Sequence, residues 1–482
     1  MSVYKSLFKQ TLIYGLATVL PRMISFMLNP LYVHALPKVE FADVSIIFAY
    51  LVFFNVVLSY GMETAFFRFY NLEEDKKNVI STSTVSLFWS SLIFLFATLL
   101  YRQTIAHWIG VKTEYITYTI WILVLDALVI IPFSKLRAES KPMKYAVIKI
   151  ANVGINFGLN IFFLLILPKL SKENFLSTIY FENFQVGYIF VSNLLASLFT
   201  FIVVSKNYFT ISWHFDTQLW KRMMRYGLPI LVAGIGFAIN EHFDKILLEK
   251  LHVPKADIGA YSACYKLGMF MVLFRTAYTL GIEPFFFSHA DKENASQTYA
   301  TITKYFVISG SFILLFVIVF IDLLKILLVP NSNYWDAMNV VPLIIVANFF
   351  LGIYTNLSVW YKLIDKTHIG AIISIIGAVL TLVLNFWLVP KYSYFGSAIA
   401  TIAAYGSMMF ISYYLGQKKY PIPYDKQKIG GYLGLSTLLS ALSFYIPKLR
   451  ESYVFGIFAL VVFGYYIYRN EKETILKIIK RK

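Results

Sequence analysis

Runs of about twenty apolar residues, each closed by a short polar stretch, recur along the whole chain. The pattern predicts membrane-spanning helices near 11–33, 44–66, 79–101, 116–133, 145–167, 185–205 and 226–247. Seven more follow near 258–287, 302–321, 339–361, 369–389, 395–415, 430–446 and 452–468. The connections between them average roughly 13 residues, too short for an attached soluble domain. The expected fold class is therefore an all-α polytopic membrane protein with about fourteen transmembrane helices.

Short motifs repeat at matching places in two halves. Tyr14-Gly15-Leu16 opens the first span and Tyr226-Gly227-Leu228 the seventh. Pro37-Lys38 with Glu40 is echoed by Pro254-Lys255 with Asp257. Gly61-Met62-Glu63-Thr64-Ala65-Phe66-Phe67 closes span two, and Gly281-Ile282-Glu283-Pro284-Phe285-Phe286-Phe287 closes span eight. A fainter echo pairs Asn160 and Pro168-Lys169 with Asn385 and Pro390-Lys391. Six helices per copy, an even number, give a parallel repeat: a lobe at 1–210, a second at 211–417, and two further helices with a basic tail at 418–482.

Composition agrees. The chain is 58% hydrophobic and 14% charged, far from a soluble domain's balance. Its net charge of +17 suggests nucleic acid only until the charges are placed. Lys and Arg number 27 on the side of the N-terminus and 12 on the other, with four inside spans. Basic cytoplasmic loops explain the excess and place both termini in the cytoplasm. The tail from Arg469 reads as a basic amphipathic helix on the inner leaflet. Pro21, Arg22 and Pro30 interrupt the first span, which reads as a working helix rather than a cleaved signal. Cys264, the single cysteine, can form neither an internal disulfide nor a thiolate metal site. The histidines lack ligand spacing, and no enzyme motif is visible, so no catalytic residue, metal or cofactor is expected.

Charges inside spans are costly, roughly 2.5–3.5 kcal/mol each at the bilayer centre on insertion scales, and so mark function or pairing. Arg22 lies near the midplane and reads as an anion-binding cation or half of a structural ion pair. Span eight carries Lys266, Arg275 and Glu283, and span seven Glu241 and Asp244. A pairing of Asp244 with Lys266 across the hairpin would leave Arg275 for substrate. Lys266 and Arg275 fall on opposite faces of a straight helix, unless Gly268 and Gly281 let it break. Glu63 and Glu283, near cytoplasmic helix ends, read as proton carriers or helix-end anchors. Arg68 at the cytoplasmic mouth reads as substrate contact or interfacial anchor. Asp126, in mid-span four, is a coupling-ion ligand or a partner for Arg22. Lys149 can reach headgroups by snorkelling. Asn29, Asn55, Asn152, Asn156, Asn160 and Asn240 are expected chiefly to join helices.

The segments LIYGLATVLPRMISFMLNPLYVHALPKVEF, YGMETAFFRFY, DKILLEKLHVPKADIGAYSACYKLGMFMVLFRTAYTLGIEPFFF and LNFWLVPKYSYFGSAIATIAAYGS resemble polysaccharide flippases of the MOP superfamily. The resemblance runs over essentially the whole chain. It implies two six-helix lobes around a cavity lined by helices one, two, seven and eight. It also implies export of a lipid-linked oligosaccharide, an O-antigen or other surface-polysaccharide repeat unit on undecaprenyl diphosphate, across a bacterial inner membrane. Arg22 and Arg275 then match cavity cations for the diphosphate, for which an arginine fork is suited. Lys266, Arg68 and Lys149 are the further candidates. Coupling to H⁺ or Na⁺ would run through Glu63, Asp126, Glu241, Asp244 or Glu283. The expected partners are the lipid-linked sugar, membrane lipids and polysaccharide polymerase machinery, with no nucleic acid. The competing expectations are a related drug or cation antiporter and a lipid II flippase. The first often carries an acid in helix one and the second several arginines, whereas this helix one has a single arginine and no acid. A membrane polymerase or ligase would need a long external loop, which the spacing does not provide.

Overall fold

The computed structural model describes residues 3–170, 175–288 and 293–479. Among these residues every regular element is a helix. The long ones, in chain order, are α1 (Val3–Ala35), α2 (Lys38–Leu72), α3 (Lys76–Leu100), α4 (Thr113–Ala138), α5 (Pro142–Leu170), α6 (Gln185–Phe209) and α7 (Thr217–Lys250). Next come α8 (Lys255–Ser288), α9 (Ala295–Val319), α10 (Ser332–Leu363), α11 (367–392), α12 (394–419), α13 (Lys426–Tyr445) and α14 (Tyr453–Ile479). Eleven helical stretches among the described residues are long and apolar enough to cross a membrane. One of the eleven, Thr367–Lys419, is α11 and α12 run together across Ser393, whose φ of 50° breaks the helix. The remaining two helices are long enough but less apolar: α8 carries Lys266, Arg275 and Glu283, and α13 is rich in Gly and Ser.

Large apolar side chains stay exposed at helical spacing, as with Trp89, Ile93, Phe96 and Leu100 on α3 and Val379, Val383 and Phe386 on α11. Stripes of this size are untenable in water and are lipid-facing. The protein is a multi-pass membrane protein.

The chain divides into two compact units, Met1–Ser262 with Asn385–Ser393, and Ala263–Leu384 with Tyr394–Lys482.

In the first unit α2 is broken by two left-handed residues, Tyr60 (φ 33°) and Gly61 (φ 75°). The break carries Gly61 onto Gly227 of α7, where a Cβ on Gly61 would sit 2.2 Å from the Gly227 carbonyl oxygen. Beyond it Met62, Phe66 and Phe69 enter a core with Val79, Leu219 and Met223. The start of α7 is fixed by Asp216, whose carboxylate accepts from the N–H groups of Gln218 and Leu219 and from Asn78 Nδ2 at 2.9 Å. Its own N–H donates to Thr82 Oγ1 at 3.1 Å. The Leu219 N–H and the Asn78 amide hold the Asp216 carboxyl below its ordinary value. At the other end of α7, Lys255 donates to Asp43 and to the Gly110 carbonyl. Gly259 presses on the start of α2, with room for no Cβ: one would lie 2.0 Å from the Lys38 carbonyl oxygen.

In the second unit the indole of Trp360 donates to the Ser412 carbonyl at 3.1 Å and lies over Gly416. The α12–α13 linker is tied back by Ile422, which is buried and accepts from Gln417 Nε2 at 2.9 Å. The α8 helix runs unbroken from Lys255 to Ser288. Its Gly268 is used for packing instead of bending: a Cβ there would lie 2.5 Å from Ile344. The expected basic tail is no separate element. The α14 helix continues past Arg469 to Ile479, the last described residue, and Glu471 is turned inward with 3% of its surface exposed.

Candidate functional site

The α1 helix continues through Pro21 and Pro30, and Arg22 is exposed on it, flanked by exposed Leu16, Met23 and Met27. Arg275, in contrast, is 8% exposed in the second unit. It lies against α10 at Gly352, where an added Cβ would be 3.7 Å from its Cγ. One turn on, Tyr278 donates to Asn356 Oδ1 at 2.9 Å and its ring lies 4.6 Å from that of Phe306. Lys266 is half-buried on the same helix. With α8 unbroken, nine residues at about 100° each leave Lys266 and Arg275 on opposite faces.

The acids of the first unit are mostly held by bases that the spacing of the sequence did not suggest. Glu63 is exposed and pairs with Arg137 at 2.7 Å, and that guanidinium also covers the ring of Phe67 at 4.6 Å. Both carboxylate oxygens of Asp244 are taken by Lys245, at 2.9 and 2.8 Å, and Tyr261 donates to Oδ2 at 2.8 Å. The sequence had suggested Lys266 for this role; a neighbouring lysine on the same helix fills it. Glu241 lies 3.9 Å from His242 Nε2. The side chain of Glu283 lies outside the described residues.

Arg68 stacks on Tyr226, 4.4 Å from the ring centroid. The tyrosine is the one that opens the repeated Tyr-Gly-Leu motif. Lys149 turns inward, where snorkelling to headgroups was expected. Its ammonium is 4.6 Å from the Phe133 ring and acts electrostatically on Asp126. Asp126 accepts from Ser197 Oγ at 2.8 Å and is hydrogen-bonded to Asn55. One turn from Lys149, Asn152 joins α5 to α6 by donating to the Ala196 carbonyl and to Thr200 Oγ1, at 2.8 and 2.9 Å. The structure thus gathers Asn55, Asp126, Lys149, Asn152, Ser197 and Thr200 into one polar seam inside the first unit.

Two ionic clusters of the second unit had no signal in the sequence. Glu471 accepts from Lys304 at 2.7 Å, from Lys428 at 3.2 Å and from the Tyr432 hydroxyl at 3.2 Å, so that α9, α13 and α14 share one carboxylate. Asp322 receives Arg450 through two hydrogen bonds, at 3.0 and 3.1 Å, and Lys325 beside them. Burial pushes the Asp322 carboxyl up, but these hydrogen bonds outweigh it and hold the group below its ordinary value. Among the described residues no group of His, Cys, Asp and Glu could hold a metal ion.

Helices of spanning length, with buried guanidinium and carboxylate groups and polar seams among them, define a polytopic helical membrane protein with charge in its interior. Solved structures agree on the fold. The lipid II flippase MurJ in an inward closed conformation superposes with a TM-score of 0.75 at 15% identity, covering 95% of this chain and 99% of that one. An inward-facing multidrug resistance MATE transporter of the MOP superfamily gives 0.65 at 14% identity, covering 86% and 95%. A MOP superfamily transporter from Pyrococcus furiosus, described as having a binding pocket of reversed polarity, gives 0.60 at 13% identity over 89% and 96%.

The profile of the polysaccharide biosynthesis protein family matches residues 7–279, more than half of the chain, and the protein belongs to that family. The MatE profile matches residues 229–387. The uncharacterized membrane protein MJ1068 of Methanocaldococcus jannaschii is 22% identical over 516 residues, spanning 95% of this chain and 96% of its own. The chain thus joins membership of the polysaccharide biosynthesis protein family to a fold that it shares with solved transporters of the MOP superfamily.

Proposed function

We propose that the protein moves a lipid-linked oligosaccharide, a surface-polysaccharide repeat unit carried on undecaprenyl diphosphate, from the inner to the outer leaflet of a bacterial cytoplasmic membrane by alternating access. The observation that carries the reading is Arg22: a guanidinium exposed on an apolar spanning helix, within the segment matched by the polysaccharide family. Such a group is costly in lipid and well suited to an anionic diphosphate. Arg275 offers a second fork, and Lys266, Arg68 and Lys149 are auxiliary cations. Arg68 already has a cation–π partner in Tyr226 and Lys149 a carboxylate neighbour in Asp126, so both rank behind the arginines of α1 and α8.

Among the acids, Asp126 is the best candidate for coupling to H⁺ or Na⁺. Its bonds to Ser197 and Asn55 come from neutral groups, whereas Glu63 and Asp244 are each bound directly by a cation. Both termini are assigned to the cytoplasm by the Lys and Arg bias.

The test follows undecaprenyl-linked sugar in a deletion strain. The expected result is sugar-lipid retained on the cytoplasmic leaflet, released by the wild-type gene and not by Arg22→Ala. Normal delivery to the outer leaflet without the gene overturns the reading. Transport in vesicles that ignores collapsed pH and Na⁺ gradients removes the coupling assignment. A second reading, lipid II as the cargo, draws on the likeness to MurJ over 99% of that chain; loss of cell-wall precursor export in the same strain would favour it.

A further inference from the structure

The second unit contains a cavity of about 240 Å³ among α9, α10, α12 and α13. Val307, Ile353, Leu357, Met409, Phe410 and Leu433 wall it, so its surface is almost wholly apolar. The one hydroxyl pair nearby, Tyr424 with Thr303, is satisfied internally. Gly430 of α13 also faces the cavity, and an added Cβ there would meet nothing within 4 Å. The space is open on that side rather than filled by a neighbouring side chain.

The rim is cationic. Lys426, at the first turn of α13, is exposed and lies 5.7 Å from the Tyr413 ring. Among the described residues no carboxylate pairs with it, whereas Lys428 and Lys304 are both committed to Glu471. Lys418 and Lys419, exposed at the end of α12, add to the positive field. These residues flank the non-helical linker 420–425, where the spanning helices end. An apolar slot in the membrane, opening onto a lysine at headgroup depth, matches one kind of occupant: a molecule with a hydrocarbon chain and an anionic phosphate.

We propose that this cavity holds one anionic membrane phospholipid, an acyl chain against α9, α10 and α12 and the headgroup phosphate on Lys426. None of the residues assigned to the transported substrate lines it, so the site stands independently of the flippase reading. Its occupant fills a space that would otherwise leave α13 unsupported on its Gly430 face.

The experiment uses the full chain, purified in mild detergent and challenged with phosphatidylglycerol or phosphatidylcholine in mixed micelles, with bound lipid read by native mass spectrometry. The wild type should retain one phosphatidylglycerol per chain and prefer it over phosphatidylcholine about five-fold, the effect expected of one lysine at a membrane surface. Lys426→Glu should abolish the preference. Gly430→Leu, whose side chain enters empty space, should displace the lipid while thermal stability stays close to wild type. Equal retention in both variants overturns the proposal. So does an effect of Lys426→Glu without one of Gly430→Leu, which means surface attraction alone. The reverse pattern removes the headgroup assignment, and recovery of a polyprenyl lipid in place of phosphatidylglycerol reassigns the cavity to the cargo's tail.

Discussion

Gly61 and Gly227 touch backbone to backbone. Each belongs to a motif that occurs twice in the chain, and their contact lets α2 and α7 approach without an intervening side chain. Gly61 also has the left-handed φ that an L-residue adopts at a cost of roughly 1–2 kcal/mol, so conformation and space both demand glycine there.

Gly61→Ala should therefore lose folded, membrane-inserted protein or lower stability by more than about 2 kcal/mol. Gly227→Ala should cost less, because its Cβ would stop 3.2 Å from the Tyr60 carbonyl. Gly154→Ala and Gly158→Ala meet nothing within 4 Å and serve as controls. They should be neutral or stabilising by roughly 0.5–1 kcal/mol. Thermal unfolding in detergent ranks the four.

Glu471 carries a sharper expectation. Replacing it with Gln leaves the ammonium groups of Lys304 and Lys428 close together without their shared anion, a loss of about 3 kcal/mol for a buried cluster. Lys428→Met should cost only about 1 kcal/mol, because that side chain is the more exposed of the two lysines. A double-mutant cycle between positions 304 and 471 should show coupling well above that of a surface pair.

The exposed Glu63–Arg137 pair separates structure from coupling. Its partners are 49% and 40% exposed, so Glu63→Gln should change stability by less than about 1 kcal/mol. Transport that survives Glu63→Gln fits a helix-end anchor. Transport lost at unchanged stability would return Glu63 to the coupling role and displace Asp126.

Acid sensitivity should run through Asp216 and Asp322. Both carboxyls are held below the ordinary value near 3.8. Such groups stabilise the fold fully above their unfolded pKa, and the contribution is lost as pH falls through the lower folded value. Asp216→Asn, which keeps a capping oxygen but no charge, should flatten the acid side of a melting-temperature profile recorded between pH 3 and 7. A profile parallel to wild type would remove Asp216 from this role.

Helix number and the membrane class were legible because both rest on local apolar runs, and local runs are what a span requires. The left-handed break near the end of span two was visible only as a glycine in a repeated motif; that it serves a contact with Gly227 depends on residues 166 positions apart. Charge partners were the least legible. The helix-period argument sought a partner for Asp244 across the hairpin, but a flexible lysine side chain at the next position folds back onto it. Glu63 and Arg137 are 74 residues apart, and Glu471 lies in a stretch read as a basic amphipathic helix on the inner leaflet. For Glu63 and Glu471 the partner is set by helix packing, which the hydropathy pattern does not encode. Arg22 and Arg275 stood out for the opposite reason: a guanidinium among apolar residues is conspicuous in sequence, whatever it meets in three dimensions.

The contact between Lys38 and Gly259 joins two segments that the repeated Pro-Lys motif sets in correspondence. Aligning Pro37-Lys38 with Pro254-Lys255 puts Ala42 of the first half opposite Gly259 of the second. A chain made from two first halves would carry a methyl group where Gly259 now leaves 2.0 Å to the Lys38 carbonyl. The same alignment puts Ala260 opposite Asp43, so a chain made from two second halves would offer Lys255 no carboxylate there. At this contact the two segments that the repeated motifs set in correspondence are complementary and not interchangeable.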